Sequence, residues 1–173
     1  EQSDEAGTLV CAEEEIMESN VVAGVAFSRD EAKMTLVSVA DRPGVAAAIF
    51  GPLADAGVNV DMIVQANARG VARANMVFTC NNSDILKAET ALEALLPSGV
   101  FEGYEFDKEV AKISVVGVGM KTHTGVAADM FAALQEKAIN IVGISTSEIK
   151  ISVLVAADAT EFAIRALHTA FGL

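Results

Sequence analysis

The segment Gly117-Val-Gly-Met-Lys-Thr-His-Thr-Gly125 follows an apolar run and opens a helical one, the setting in which backbone amides cradle phosphate. Its spacing does not fit that chemistry. A P-loop needs Gly directly before Lys and a remote Gly five residues earlier, and here Met120 precedes Lys121. Gly117-x-Gly119 meets Thr122 where a dinucleotide fingerprint needs its third Gly. His123 and His168 have no nucleophile or carboxylate fixed beside them by sequence, and Cys80 ends an apolar strand, so acid–base and nucleophilic catalysis lack partners. Cys11 and Cys80 with the two histidines show no ligand spacing, and no metal is expected.

A second set of groups fits a binding role. Around Gly44-Val45-Ala46 and Gly125-Val126-Ala127 a strand turns into a helix, exposing backbone amides at the positive end of a helix dipole, which attracts carboxylates. Asp61 and Gln65 are expected to leave the next strand on one face, with Asn59 at its start. An amino-acid ligand matches this set: amides for its carboxylate, Asp61 or a carbonyl for its ammonium, Gln65 for a polar side chain. Spacing leaves a second reading open, in which Asn59 and Asn140 cap turns, Asp61 faces solvent and Gln65 fills an edge.

The elements that position these groups occur twice. Lys33 to Ile63 aligns with Lys112 to Ile144, placing Gly44, Phe50, Leu53, Asn59 and Ile63 opposite Gly125, Phe131, Leu134, Asn140 and Ile144. The second copy carries two more residues before its Gly, in a turn where insertions are tolerated. In the first copy the pattern predicts strands over 34–39, 58–65, 74–80 and 100–106, with helices over 45–56 and 83–95, Ser83 capping the latter. Pro52 predicts a kink in the first helix or a later start. In the second copy strands are expected over 113–118, 139–144 and 149–156, with helices over 126–137 and 159–171. That unit lacks a closing strand, while Val21 to Phe27, followed by a polar turn over 28–32, is a strand without a repeat. Pairing the two would relieve an open edge. The expected class is therefore α+β: two βαββαβ modules with antiparallel sheets and helices on one face, residues 30–107 inserted between 20–29 and 108–173.

Composition narrows the partners. The 173 residues are 52% hydrophobic and 5% aromatic, so the core is aliphatic, and no run is long enough to span a membrane. No signal peptide is evident, and a cytoplasmic location is expected. A net charge of −12 argues against nucleic acid. Residues 1 to 20 contribute seven acids and no base, as a solvated lead-in or a joint to something upstream; a chain opening on Glu is consistent with a fragment. The strand over 58–65 is apolar on both faces, which points to contact with another sheet or subunit.

The segments Gly119-Met-Lys-Thr-His-Thr-Gly-Val126, Ile144-Ser-Thr-Ser-Glu-Ile-Lys-Ile-Ser-Val-Leu-Val155 and Ala166-Leu-His168 closely resemble the C-terminal regulatory region of aspartokinase. So do Asp41-Arg-Pro-Gly-Val45, Leu53-Ala-Asp-Ala56 and Asn59-Val-Asp-Met-Ile-Val-Gln65 in the first copy. The resemblance implies two ACT modules, one inserted in the other, and a homodimer that binds threonine, lysine or both where modules of paired chains meet. It implies that residues 1–19 are a linker from a kinase domain, or that the chain is a stand-alone regulatory subunit. The kinase would phosphorylate the side-chain carboxylate of aspartate. No cofactor is expected in this region, ATP and Mg belonging to the kinase. By position the resemblance places effector contacts at Asp41, Gly44, Ala46, Asn59, Val60, Asp61 and Gln65, and at Val126, Ala127, Asn140, Ile141 and Ser147. Asn75 stands where many relatives carry Asp, and the turn over 66–73 is less acidic than usual, which leaves the choice of effector open. The rival readings are a structural dimerisation module and a nucleotide-binding catalytic domain using the 117–125 loop.

Overall fold

Two long strands organise the molecule, and both continue through polar stretches that resemble turns in the sequence. The computed structural model describes residues 21–66, 73–121 and 123–173; the acidic lead-in and most of the turn after Ala66 lie outside the described residues. Strand β1 (Gly24–Ala40) pairs antiparallel with β4 (Gly103–Val116) along most of its length. The polar turn expected over 28–32 is part of β1, and the strands expected separately over 100–106 and 113–118 meet in one β4. Bulges explain both differences. Residues 28 to 31 of β1 oppose 112 to 110 of β4, whereas 31 to 33 oppose 110 to 107, so each strand carries one extra residue at mid-length. The β4 bulge is satisfied locally, with the Glu109 amide donating to Asp107 Oδ1 at 2.9 Å.

Helix α1 (Val45–Asp55) leads to β2 (Val60–Ala66), then β3 (Arg73–Cys80) and α2 (Ile85–Leu95). After β4 the order recurs as α3 (Val126–Glu136), β5 (Gly143–Thr146), β6 (Lys150–Ala156) and α4 (Thr160–Phe171). Among the described residues all strand pairings are antiparallel, in one six-stranded sheet of order β2-β3-β1-β4-β6-β5. The expected α+β class and βαββαβ pattern hold, with the two sheets joined rather than separate.

Two cores lie under the helices. Val45, Ile49 and Leu53 of α1 and Ile85, Ala88 and Leu92 of α2, spaced to fall on one helical face, meet Met34 and Leu36 of β1 and Met76 and Phe78 of β3. In the second core Val126, Met130 and Leu134 of α3 and Ala163 and Leu167 of α4 meet Ile113 and Val115 of β4 and Val153 and Val155 of β6. Val22 belongs to that second core, and residues 24–28 pair with 112–116. Gly117 permits this junction: a Cβ there would lie 2.2 Å from the Val21 carbonyl oxygen.

Four local expectations need correction. Helix α1 starts at Val45 despite Pro52, which lies in its last turn and still offers its carbonyl to the Ala56 amide at 3.0 Å. Ser83 does not cap α2; a 3-10 turn over Asn82–Asp84 precedes it, and the Asp84 carboxylate is engaged by Lys87 Nζ at 2.8 Å. Strand β5 begins at Gly143 rather than Ile139, because residue 138 turns left-handed and the Ile139 amide still closes the helix onto Leu134. Asn59 and Asn140 therefore precede β2 and β5 instead of lying within them.

Candidate functional site

Gly44 and Gly125 hold the position before α1 and α3 with φ of 89° and 105°, values that an L side chain rarely adopts. Among the described residues neither helix start has a side-chain cap, and first-turn amides of this kind can meet an acceptor. In the second half this junction opens on a cavity of about 440 Å³ lined by Met120, His123, Gly125, Val126, Ala127, Thr146, Ser147, Glu148 and Ile151. Such a volume suits a small metabolite. Ser147, whose hydroxyl donates to the Lys150 carbonyl at 3.3 Å, and Glu148 belong to its lining, and His123 Nδ1 bonds the Gly119 carbonyl at 2.9 Å.

The structure thus brings Val126, Ala127 and Ser147 together and places Asn140 elsewhere. Asn140 lines a separate cavity of about 400 Å³ with Ile139, Val142 and Phe162, and Ile141 packs against the second core. The reason is the length of α3. Eleven residues at about 1.5 Å each put the start of the helix roughly 16 Å from its end, where Asn140 follows.

The same geometry divides the first half. Asp41, Gly44 and Ala46 are exposed at the start of α1, whereas Asn59 is exposed just beyond its end and Val60 is half-buried at the start of β2. Asp61 and Gln65 do not share a face. Asp61 opposes Thr79 and Gln65 opposes Met76, an odd separation along β3, because an irregularity at Met62, with φ of 39°, separates them. Gln65 is the repeat counterpart of Thr146, which lines the second-half cavity; Asp61 corresponds to Val142 in the other cavity.

Asp61 has partners that the sequence did not suggest. Its Oδ2 accepts from Lys112 Nζ at 2.7 Å, and its Oδ1 accepts from the Met62 amide at 2.9 Å. Lys112 also contacts Glu31 Oε1 at 2.5 Å. The hydrogen bond from Lys112 holds the Asp61 carboxyl below the usual carboxylate range, against a smaller opposing effect of burial. The available signal was slight: Lys112 is the repeat counterpart of Lys33, and nothing in spacing places it over Asp61. Asn75 also finds an explanation, since its Oδ1 accepts from the Ser38 amide at 3.0 Å, where β1 bulges with φ of 57°. Burial pushes the Cys80 thiol up to about 11, which makes it a poor nucleophile.

Two matches to the ACT domain cover residues 33–97 and 113–171, one for each half. The regulatory subunit of aspartate kinase from Thermus thermophilus, solved in its ligand-free form, is 39% identical and superposes with a TM-score of 0.81 over 87% of this chain and 99% of that one. The chain belongs to the aspartokinase family, as its regulatory ACT region. The aspartokinase of Pseudomonas aeruginosa is 48% identical over 170 residues, and this ACT region spans 41% of its length and 96% of its own. The chain therefore covers about two fifths of such full-length relatives. E. coli aspartokinase III in complex with lysine and aspartate shares the fold, with 23% identity and a TM-score of 0.70 over 88% of this chain and 33% of that one.

Proposed function

We propose that this ACT region senses threonine, lysine or both and conveys feedback inhibition to an aspartate kinase catalytic domain or subunit. The observation that carries this reading is the pair of uncapped helix starts at Gly44 and Gly125, one of them opening on a cavity that also presents Ser147 and Glu148. Amides there suit a ligand carboxylate, and a neighbouring carboxylate suits its ammonium. The lysine named in the E. coli complex is a ligand of that class. Asp41, Gly44, Ala46 and Gln65 would serve one end of the first module and Asn59, Val60 and Asp61 the other. In the second module Val126, Ala127 and Ser147 would serve one end, Asn140 and Ile141 the other.

Because these groups lie at opposite ends of each helix, a complete site needs a second module to supply the missing half. A homodimer meets that need. Ile63 and Ile144, equivalent in the repeat, are 53% and 43% exposed and give apolar surface for it. Residues 30–107 form one module in this reading, and 20–29 with 108–173 the other, with 1–19 joining a kinase that supplies ATP and Mg chemistry in the cytoplasm. Ligand acts by favouring one packing of modules over another, which requires different affinity for the two states.

Calorimetry of the chain with threonine, with lysine and with their mixture tests the proposal. Saturable heat with at least one is expected; no heat in all three overturns it. A dimer that persists in gel filtration without any amino-acid effect on thermal unfolding would favour the purely structural alternative. Measurable ATP binding would instead favour a nucleotide site in the 117–125 loop.

A further inference from the structure

The Glu31–Lys112–Asp61 cluster joins three strands: β1, β4 and β2. Its members differ in access to solvent. The Glu31 side chain is 5% exposed and that of Lys112 17%, whereas that of Asp61 is 49% exposed. One cation therefore stands between a buried carboxylate and an open one. The Asp61 carboxylate is also oriented, since its other oxygen accepts from the Met62 amide within the irregular stretch of β2. Opposite Asp61 in register, the fully buried Thr79 hydroxyl has no hydrogen-bond partner among the described residues, so an unused polar group lies on that face.

We propose that Lys112 is a built-in competitor for Asp61: its ammonium occupies the carboxylate that the ammonium of a bound amino acid would take, and ligand binding leaves Lys112 on Glu31 alone. The inference rests on the amino-acid reading given above. Two features make the exchange feasible. Asp61 is approached from solvent on its open side, so an incoming ammonium does not have to pass Lys112. Lys112 keeps a carboxylate at 2.5 Å after releasing Asp61, so no buried charge is left without a counter-charge. Because Lys112 lies on β4, where it opposes Ser28 of β1 and Leu154 of β6, its release would be felt in the strands of the second half. Among amino acids, the competition selects for a free ammonium over an acylated one.

The test is calorimetry of the full chain with threonine and with lysine, comparing wild type with the double variant Glu31→Gln/Lys112→Met, which removes the cation without leaving Glu31 charged and buried. Replacing such a set by neutral groups is often tolerated. Affinity is expected to rise about tenfold, as expected for one charge-assisted hydrogen bond no longer to be displaced. Lys112→Arg, which grips a carboxylate through two nitrogens, keeps the charge and guards against a folding failure of the double variant; it is expected to weaken binding about threefold. Unchanged or weaker binding by a folded double variant, or unchanged binding by Lys112→Arg, overturns the competition. Uptake of neither amino acid by any of these chains removes both the amino-acid reading and the competition. A carbon-detected titration of Asp61 separates the two failures: its carboxyl should titrate higher in the double variant, and no change there means that Lys112 does not hold Asp61 at all.

Discussion

Aligned by their repeat, the two halves agree at Gly44 and Gly125, at Leu53 and Leu134, and at the closing bonds from Val58 to Leu53 and from Ile139 to Leu134, of 2.9 and 3.0 Å. They disagree at the positions that would meet a ligand. Asp61 falls opposite Val142 and Gln65 opposite Thr146, and at the helix exits, away from those positions, Gly57 falls opposite Ala138. Backbone positions that set the helix start and the core are held in common, while charge is distributed unequally. Two sites of this kind would share a carboxylate-binding device and differ in what else they contact.

Substitutions can break or sharpen that comparison. The largest effect is expected at the junction, where Gly117→Val would drive a side chain into the backbone at Val21 and Val22. A loss of about 3 kcal/mol, read from urea unfolding, is expected. Its counterpart Ser38, left-handed with φ of 57° in the bulge held by Asn75, should accept Gly at little cost. Next come the helix exits. Gly57 and Ala138 are both left-handed, with φ of 71° and 55°. Gly57→Ala should cost about 1 kcal/mol and Ala138→Gly should gain roughly 0.5–1 kcal/mol in the same assay, opposite signs at equivalent positions.

The smallest effect concerns acid. Lys112 holds the Asp61 carboxyl below its usual range, so the unfolded chain takes up that proton more readily than the folded one. The stability so added is complete above about pH 4 and is lost as pH falls through the lower folded value. At half exposure it amounts to less than about 1 kcal/mol. Unfolding of wild type and Asp61→Asn should therefore differ at about pH 6 and converge near pH 2, whereas Val142→Asn should show no such convergence. Equal acid response in all three chains would remove the distinction drawn between the halves.

The fold was legible because its signals are local or repeated. Helical spacing of Val45, Ile49 and Leu53, the glycines before α1 and α3, and a repeat short of one strand all lie within the sequence itself. What was lost depended on contacts across the sheet. Bulges near residues 28–33 and 107–110 join segments that their polar composition separates, and register shifts are invisible to alternation counted on one strand. The same limit acted on the site. Alternation put Asp61 and Gln65 on one face until the irregularity at Met62 divided them, and no spacing rule connects Lys112 with a carboxylate 51 residues away. Asn59 is grouped with the first helix start, and Asn140 with the second through the resemblance, because sequence order does not show that a strand returning from a helix begins at its far end.

β1 and β4 each run through both halves, pairing with β3 and β6 as well as with one another. Cutting the chain between the two ACT matches would leave each piece with half of a severed ribbon. Separately expressed pieces should be insoluble alone yet reconstitute when mixed, so this protein is better suited to fragment-complementation assays than to study as isolated modules.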